Sequence, residues 1–216
     1  MIIPALNIPF DPKTVKPSFE LEQTVLSVGY SRVAGVDEAG RGPLAGGVVA
    51  AAVVLDPDNI PVGLNDSKKL SAAKRRALFH EIIKTADVGV GVVSAREIDE
   101  INILQATFLA MTRAAQGLKQ KAEFHLIDGD KRPPALFDTS AAVVKGDARS
   151  LSVAAASIIA KVTRDRIMEL ADQRWPGYGF AKHSGYGTKA HLDAITALGP
   201  SPIHRMTFAP LKCAAA

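Results

Sequence analysis

The run from Arg32 to Leu55, RVAGVDEAGRGPLAGGVVAAAVVL, constrains the fold of this chain more than any other stretch. An apolar segment, Val33 to Val36, leads into Asp37-Glu38-Ala39-Gly40-Arg41-Gly42-Pro43, and a longer apolar segment, Leu44 to Leu55, follows. Short Val-rich runs broken by a Gly/Pro cluster predict two strands joined by a connection. The connection is unusual because two adjacent carboxylates end the first strand, where burial without a counter-ion is costly. Side chains alternate along a strand, so Asp37 and Glu38 leave on opposite faces unless the strand is already ending. Gly40 and Gly42 free the main chain to approach a ligand with its own N–H groups, and Arg41 between them is a donor only. An ordinary acidic, glycine-rich hairpin turn accounts for the pattern equally well at this point.

The rest of the chain alternates strands and helices. Residues 1–30 carry Pro4, Pro9, Pro12 and Pro17, then a short helix, Phe19 to Val28, and read as a lead-in packed on the domain that follows. After the loop Asp56 to Asp66, Ser71 caps a helix with Leu78 and Ile82 on one side and Arg76, His80 and Lys84 on the other. With Lys68, Lys69, Lys74 and Arg75 this is the densest basic stretch, either a solvated face or a contact for a phosphate backbone. A third strand, Val88 to Ser94, precedes a helix whose Ile101, Leu104, Phe108, Met111, Ala115 and Leu118 form a core stripe. A fourth strand, Phe124 to Ile127, ends at Asp128-Gly129-Asp130, and a fifth, Ala141 to Val144, reaches Lys145-Gly146-Asp147. The long helix Leu151 to Arg174 has a small apolar interior, AAASIIA, suited to lying close against a sheet. A glycine-rich loop, Trp175 to Thr188, leads to a last helix capped by Thr188 and stopped at Gly199-Pro200. Three strands near one another in sequence favour an antiparallel meander, and strands reached through a helix favour parallel additions. The expectation is an α/β fold: a mixed five-stranded sheet flanked by helices, with a helical C-terminal extension.

Three apolar runs end in an acid: Val36 before Asp37-Glu38, Ile127 before Asp128, and Val144 shortly before Asp147. If these strands are neighbours, their ends gather four carboxylates at one edge, mutually repulsive and with coupled, raised pKa values unless cations join them. An oxygen-only donor set suits Mg²⁺ or Mn²⁺, and a pair of such ions can activate water and stabilise the leaving oxygen of a phosphodiester. Taken singly, each acid has a plainer explanation: Asp128 as a turn former, Asp147 as the cap of the helix near Leu151. Other chemistries lack their signatures. No GxxxxGK[ST] precedes a helix, His183 and His191 form no HExxH, and no GxSxG elbow is present. His125, inside a strand, reads as structural. The surplus of 26 Lys+Arg over 22 Asp+Glu, with a pI near 9.2, is compatible with a polyanionic partner. A lone cysteine, Cys213, forms no internal disulfide, no apolar run is long enough to span a bilayer, and no basic start marks a secretory signal. A cytoplasmic location is expected.

DEAGRGPLAG resembles the signature of the ribonuclease HII family, which cuts RNA at ribonucleotides within DNA. The resemblance extends in order from about residue 31 to 210 and implies a ribonuclease H-like catalytic domain there, with a tail at 211–216. It implies that Asp37, Glu38, Asp128 in LIDGD and Asp147 in VVKGDARSLSVAAASIIAKVTRD are catalytic and hold two divalent ions, Mg²⁺ or Mn²⁺. Gly40, Arg41 and Gly42, Lys68 in NDSKKL and Tyr186 in HSGYGTKAH are implied substrate contacts: Lys68 with a phosphate, Tyr186 with the 2′-hydroxyl and the next sugar. The implied partners are RNA–DNA hybrids and DNA duplexes containing ribonucleotides, with no membrane, and a monomer is expected. Asp130 departs from the family's asparagine. HRMTFAP matches His-Arg-Arg-Ser-Phe only loosely and is given no role. The related ribonuclease HIII carries an extra N-terminal binding domain, for which the 30 or so residues before the first strand are too few.

Overall fold

The computed structural model describes residues 16–213. Most of the proline-bearing start of the lead-in, residues 1–15, and residues 214–216 of the tail lie outside the described residues. The central strand β1 (Val33–Ala39) pairs antiparallel with β2 (Val48–Val54), which pairs antiparallel with β3 (Asp87–Val93). On its other side lie β4 (Phe124–Asp128) and then β5 (Ser140–Val143), both parallel. The order β3-β2-β1-β4-β5 is the expected meander with parallel additions.

Helices cover both faces. Around β1, α1 (Glu20–Ser27) packs Leu21 and Val25 on Val33, Phe124 and Leu126. On one face of the sheet α3 (Ala95–Gln116) buries Ile98, Ala106, Ala110, Met111 and Ala114 against Val36, Val48 and Ala50. On the other, α2 (Ala72–Thr85) and α4 (Leu151–Arg174) bury Leu78, Ile82, Ile158, Ile159 and Val162 with Ala51 and Val53. Ser71 and Thr188 cap as expected. At α4 the cap is Ser150, whose Oγ accepts from Val153 N at 3.0 Å, so Asp147 is released from that duty. Buried Glu22 reinforces this end, accepting from Ser150 Oγ at 2.6 Å and Ser152 N at 2.8 Å. After α4 come the short α5 (Phe180–His183) and α6 (Lys189–Leu198).

Several boundaries differ from the sequence reading, each for a local reason. β1 runs on past Val36 because Asp37, Glu38 and Ala39 stay paired with Ala51, Ala50 and Val49. β2 starts only at Val48, because the main chain at Leu44–Gly47 is drawn instead to the C-terminal segment, with Ala45 bridged to His204. The stripe on α3 is broken at Asn102, where φ 67 and ψ 164 interrupt the helix and the side chain accepts from Leu104 N and Gln105 N to restart it. That shifts the helical phase, so Ile101, Leu104 and Phe108 end only half-buried while Ala106 and Ala110 take the core.

The small residues of α4 let it approach β1 closely. A Cβ at Gly35 would stand 2.1 Å from the main-chain carbon of Ser152, and a backbone cannot yield as a side chain can. Gly35→Ala is expected to cost at least about 2 kcal/mol, the upper range of overpacking, measured as a lowered denaturant midpoint at unchanged slope; an unchanged midpoint would show that α4 can shift freely.

Candidate active site

The topology brings the strand-end acids together. Residues opposite each other in an antiparallel ladder share a face, so Asp37, facing Ala51, lies on the α4 side, and Glu38, facing Ala50, lies on the α3 side. Both strand-borne acids still reach the same edge of the sheet, where β4 delivers Asp128 and the turn Gly146–Ala148 delivers Asp147. Gly146 N donates to Asp128 Oδ1 at 2.6 Å, tying these last two acids to one loop. Arg41 pairs with Glu38 at 3.4 Å.

The electrostatics report the crowding. Burial, then the charges of Asp128 and Glu38, push the Asp37 carboxyl well up. Burial also raises Glu38, against the pull of Arg41, and raises Asp128, against the N–H groups of Gly146 and Asp147. Burial and the neighbouring Asp128 and Asp66 raise Asp147 to about 6. For Lys68, burial works against the charge, but Asp147, Asp66, Asp37 and Asp128 outweigh it and raise its pKa. Lys68 therefore lies in the field of the acids. It stands on the single turn Ser67–Lys69, which Arg75 holds by donating to the Ser67 and Leu70 carbonyls. Asp130 is exposed and lines a small cleft with Glu38, Arg41, Leu104, Phe108 and Lys131.

The carboxyl set has the right chemistry for hard divalent cations: oxygen donors only, and repulsion that a cation would relieve. Among the described residues no group of three or more His, Cys, Asp or Glu side chains is drawn together closely enough to hold a metal ion by itself. Mg²⁺ is characteristically held by one or two carboxylates, waters and substrate phosphates, which such an open arrangement accommodates.

Beside the acids a second cleft is lined by Gly40, Arg41, Gly42, Lys68, Lys161, Arg164 and Tyr186. Gly40 has φ 98, and a Cβ there would meet Arg164 Nε at 2.0 Å, so only glycine fits. A Cβ on Gly42 would lie 3.5 Å from Tyr186 Cε1, which places the half-exposed tyrosine ring against the glycine turn. The Tyr186 carbonyl accepts from Thr188 N at 2.8 Å and from His191 Nδ1 at 2.9 Å.

A family model described as Ribonuclease HII matches residues 34–211. The Ribonuclease HII of Sinorhizobium fredii is 55% identical over 203 residues, 94% of this chain and 88% of that protein. This chain belongs to the ribonuclease HII family. It is accordingly a ribonuclease H, a nuclease of the hydrolase class. The ribonuclease H2 from Pyrococcus horikoshii OT3 aligns with a TM-score of 0.70 at 33% identity, covering 85% of this chain and 96% of that one. Bst-RNase HIII, solved in complex with Mn²⁺, shares the ribonuclease H-like fold at a TM-score of 0.67 and 21% identity, covering 88% and 71%. No helix among the described residues is long and apolar enough to cross a membrane.

Around this ribonuclease HII site stand residues that sequence reasoning did not reach. Arg164 and Arg205 are both buried, and they donate to carbonyls of the turn between β1 and β2: Arg164 to Ala45 and Gly47, Arg205 to Gly40, Arg41 and Gly46. Arg164 lies in the second half of the long helix Leu151 to Arg174, and Arg205 in the loosely matching segment HRMTFAP. The local signal for Arg164 is its place on the helix that carries the small apolar run AAASIIA. For Arg205 there was none. Asp66, read as the end of a loop, lies near enough for its charge to raise Asp147. His125, by contrast, is the expected structural histidine, buried with Nδ1 at 3.0 Å from the Thr139 carbonyl.

A carboxyl raised on folding binds its proton more tightly folded than unfolded. Its stability contribution is present below the usual 3.8 and is lost as pH rises through the folded value, about 6 for Asp147. In EDTA at pH 8, Asp37→Asn should therefore melt above the wild type, by about 2–4 °C for each kcal/mol of repulsion removed. The gain should vanish near pH 3. A melting temperature at pH 8 no higher than wild type would mean that Asp37 carries no repulsion.

Proposed function

We propose that this enzyme hydrolyses the RNA strand of RNA–DNA hybrids and also nicks duplex DNA at a single embedded ribonucleotide. The cut falls on the 5′ side of the ribonucleotide and leaves a 3′-hydroxyl and a 5′-phosphate. The observation that carries this reading is the meeting of the acid edge with a glycine turn and the Tyr186 ring in one cleft. A nuclease that reads RNA must touch the one group DNA lacks, a hydroxyl that both donates and accepts.

In this reading Asp37, Glu38, Asp128 and Asp147 are the catalytic residues and hold two divalent cations, Mg²⁺ or Mn²⁺. Their raised pKa values support this, because the set is a poor neighbour to itself and a good one to a cation. The Mn²⁺ complex of the fold relative Bst-RNase HIII is in keeping with it. When bound, such ions supply water activation and charge stabilisation at the leaving oxygen. The chain's own residues do the rest. Gly40, Arg41 and Gly42 offer main-chain groups to the 2′-hydroxyl. Tyr186 adds a phenol and a ring that stacks on the next sugar. Lys68, kept protonated by the acids, meets a backbone phosphate. The catalytic domain spans 31–210, and the enzyme works as a cytoplasmic monomer.

The test is a labelled DNA duplex containing one ribonucleotide, incubated with and without Mg²⁺. Wild type should cut it once, and only with metal, while Asp128→Asn should leave it intact although folded. Tyr186→Phe should lower cleavage by about fivefold, the worth of one hydrogen bond of roughly 1 kcal/mol. Tyr186→Ala should cost more, and more at a single ribonucleotide than in a uniform hybrid. Comparable cutting of the all-DNA duplex would end the 2′-hydroxyl reading; equal losses on both substrates would reduce Tyr186 to packing.

A further inference from the structure

We infer that Arg205 is a positioning residue for ribonucleotide recognition, turning the main-chain N–H groups of Arg41 and Gly42 into the cleft. This rests on the proposed reading of the Gly40–Gly42 turn. Arg205 is wholly buried, in a segment 164 residues from Arg41 in the chain. Its Nε donates to the Gly46 carbonyl at 2.9 Å, one terminal nitrogen to the Arg41 carbonyl at 2.7 Å, and the other to the Gly40 carbonyl.

A trans peptide unit is planar, and its C=O and N–H point in opposite directions. The Gly40 carbonyl shares its plane with the Arg41 N–H, and the Arg41 carbonyl with the Gly42 N–H. With both carbonyls drawn inward onto Arg205, both N–H groups face outward, on the side where the Tyr186 ring stands beside Gly42. Neither donates to another group among the described residues.

Packing alone does not explain the choice of side chain. No carboxylate among the described residues forms an ion pair with Arg205. Burial and the nearby Arg164 push its pKa down to about 9, so the cation is costly to keep there. A planar fork that satisfies several carbonyls at once is the property an apolar residue lacks and a lysine cannot copy. The adjacent residue secures the opposite wall. Ser201 N–H, an obligate donor, bonds His204 Nδ1 at 2.8 Å, so the His204 hydrogen resides on Nε2. That nitrogen donates to His191 Nε2 at 3.0 Å, and His191 Nδ1 in turn donates to the Tyr186 carbonyl. One C-terminal dipeptide thus sets both halves of the reader.

Metal-free binding tests this. Wild type and Arg205→Lys are titrated by fluorescence anisotropy, in EDTA, with a DNA duplex carrying one ribonucleotide and with the same duplex in all-DNA form. Wild type should prefer the ribonucleotide duplex, and Arg205→Lys should lose about fivefold of that preference, the worth of one mis-set hydrogen bond. Affinity for the all-DNA duplex, governed by phosphate contacts, should stay within about twofold. A folded Arg205→Lys with the wild-type preference, however much its melting temperature falls, overturns the inference. A wild type with no preference overturns the recognition reading first, and the inference with it. If Arg205→Lys does not fold, the backbone amide resonances of Arg41 and Gly42 in the wild type decide. Shifts induced by the ribonucleotide duplex but not by the DNA duplex support the inference; resonances indifferent to the ribonucleotide overturn it.

Discussion

Repulsion among carboxylates at one sheet edge is the constraint around which this molecule is arranged. Asp37, Glu38, Asp128 and Asp147 each have a raised pKa, and each would relax by moving away. They are held by parts of the fold that cannot yield independently. Asp37 and Glu38 remain locked in the β1–β2 ladder, Asp128 ends a strand paired with β5, and Asp147 is carried by the turn that enters α4. That turn is anchored from behind, where Glu22 of α1 bonds Ser150 and Ser152, and from the side, where Gly35 admits α4 onto β1. The sheet and its helices supply the rigidity, and the site uses it up.

Cations answer the acids in two distinct ways. Lys68 lies among them as a point charge, its own pKa raised by four carboxylates. Arg164 and Arg205 are spent instead on main-chain carbonyls of the glycine turn, from Gly40 to Gly47. The first arrangement tunes charge, and the second fixes geometry. Guanidinium forks suit the second task because one side chain can fasten several carbonyls. The acids and the glycine turn are therefore adjacent but separately supported, so a change in one need not loosen the other.

Much of this was legible in the sequence because it is written in local pattern. Apolar runs ending in Asp37-Glu38 and Asp128 gave the strands and their acids, and Ser71 and Thr188 marked helix starts. The failures share a cause, contact between residues far apart in the chain. Leu44 to Gly47 look like strand, but their main chain is claimed by Ile203 and Arg205. The stripe from Ile101 to Leu118 has perfect helical spacing, yet a single left-handed residue, Asn102, resets the phase and leaves Leu104 and Phe108 lining a cleft. The position of Arg205 is set entirely by where the C-terminal segment crosses the β1–β2 turn, and no periodicity encodes that.

The two halves of the site also pull stability in opposite directions with pH. His204 is kept neutral by burial and by His191, its pKa lowered to about 4 from 6.5. A lowered histidine contributes stability that is complete above its unfolded value and is lost as pH falls towards the folded one. The raised carboxyls do the reverse: Asp147 contributes below 3.8 and loses that contribution as pH rises through about 6. Between these limits acidification relieves the acid edge while it strains the histidine pair that holds Tyr186. A cation on the carboxylates would remove the first effect and leave the second, so the fully loaded protein gains nothing from acid. At neutral pH Asp147, raised to about 6, is ionised, and the histidine chain keeps the tautomers that fix Tyr186.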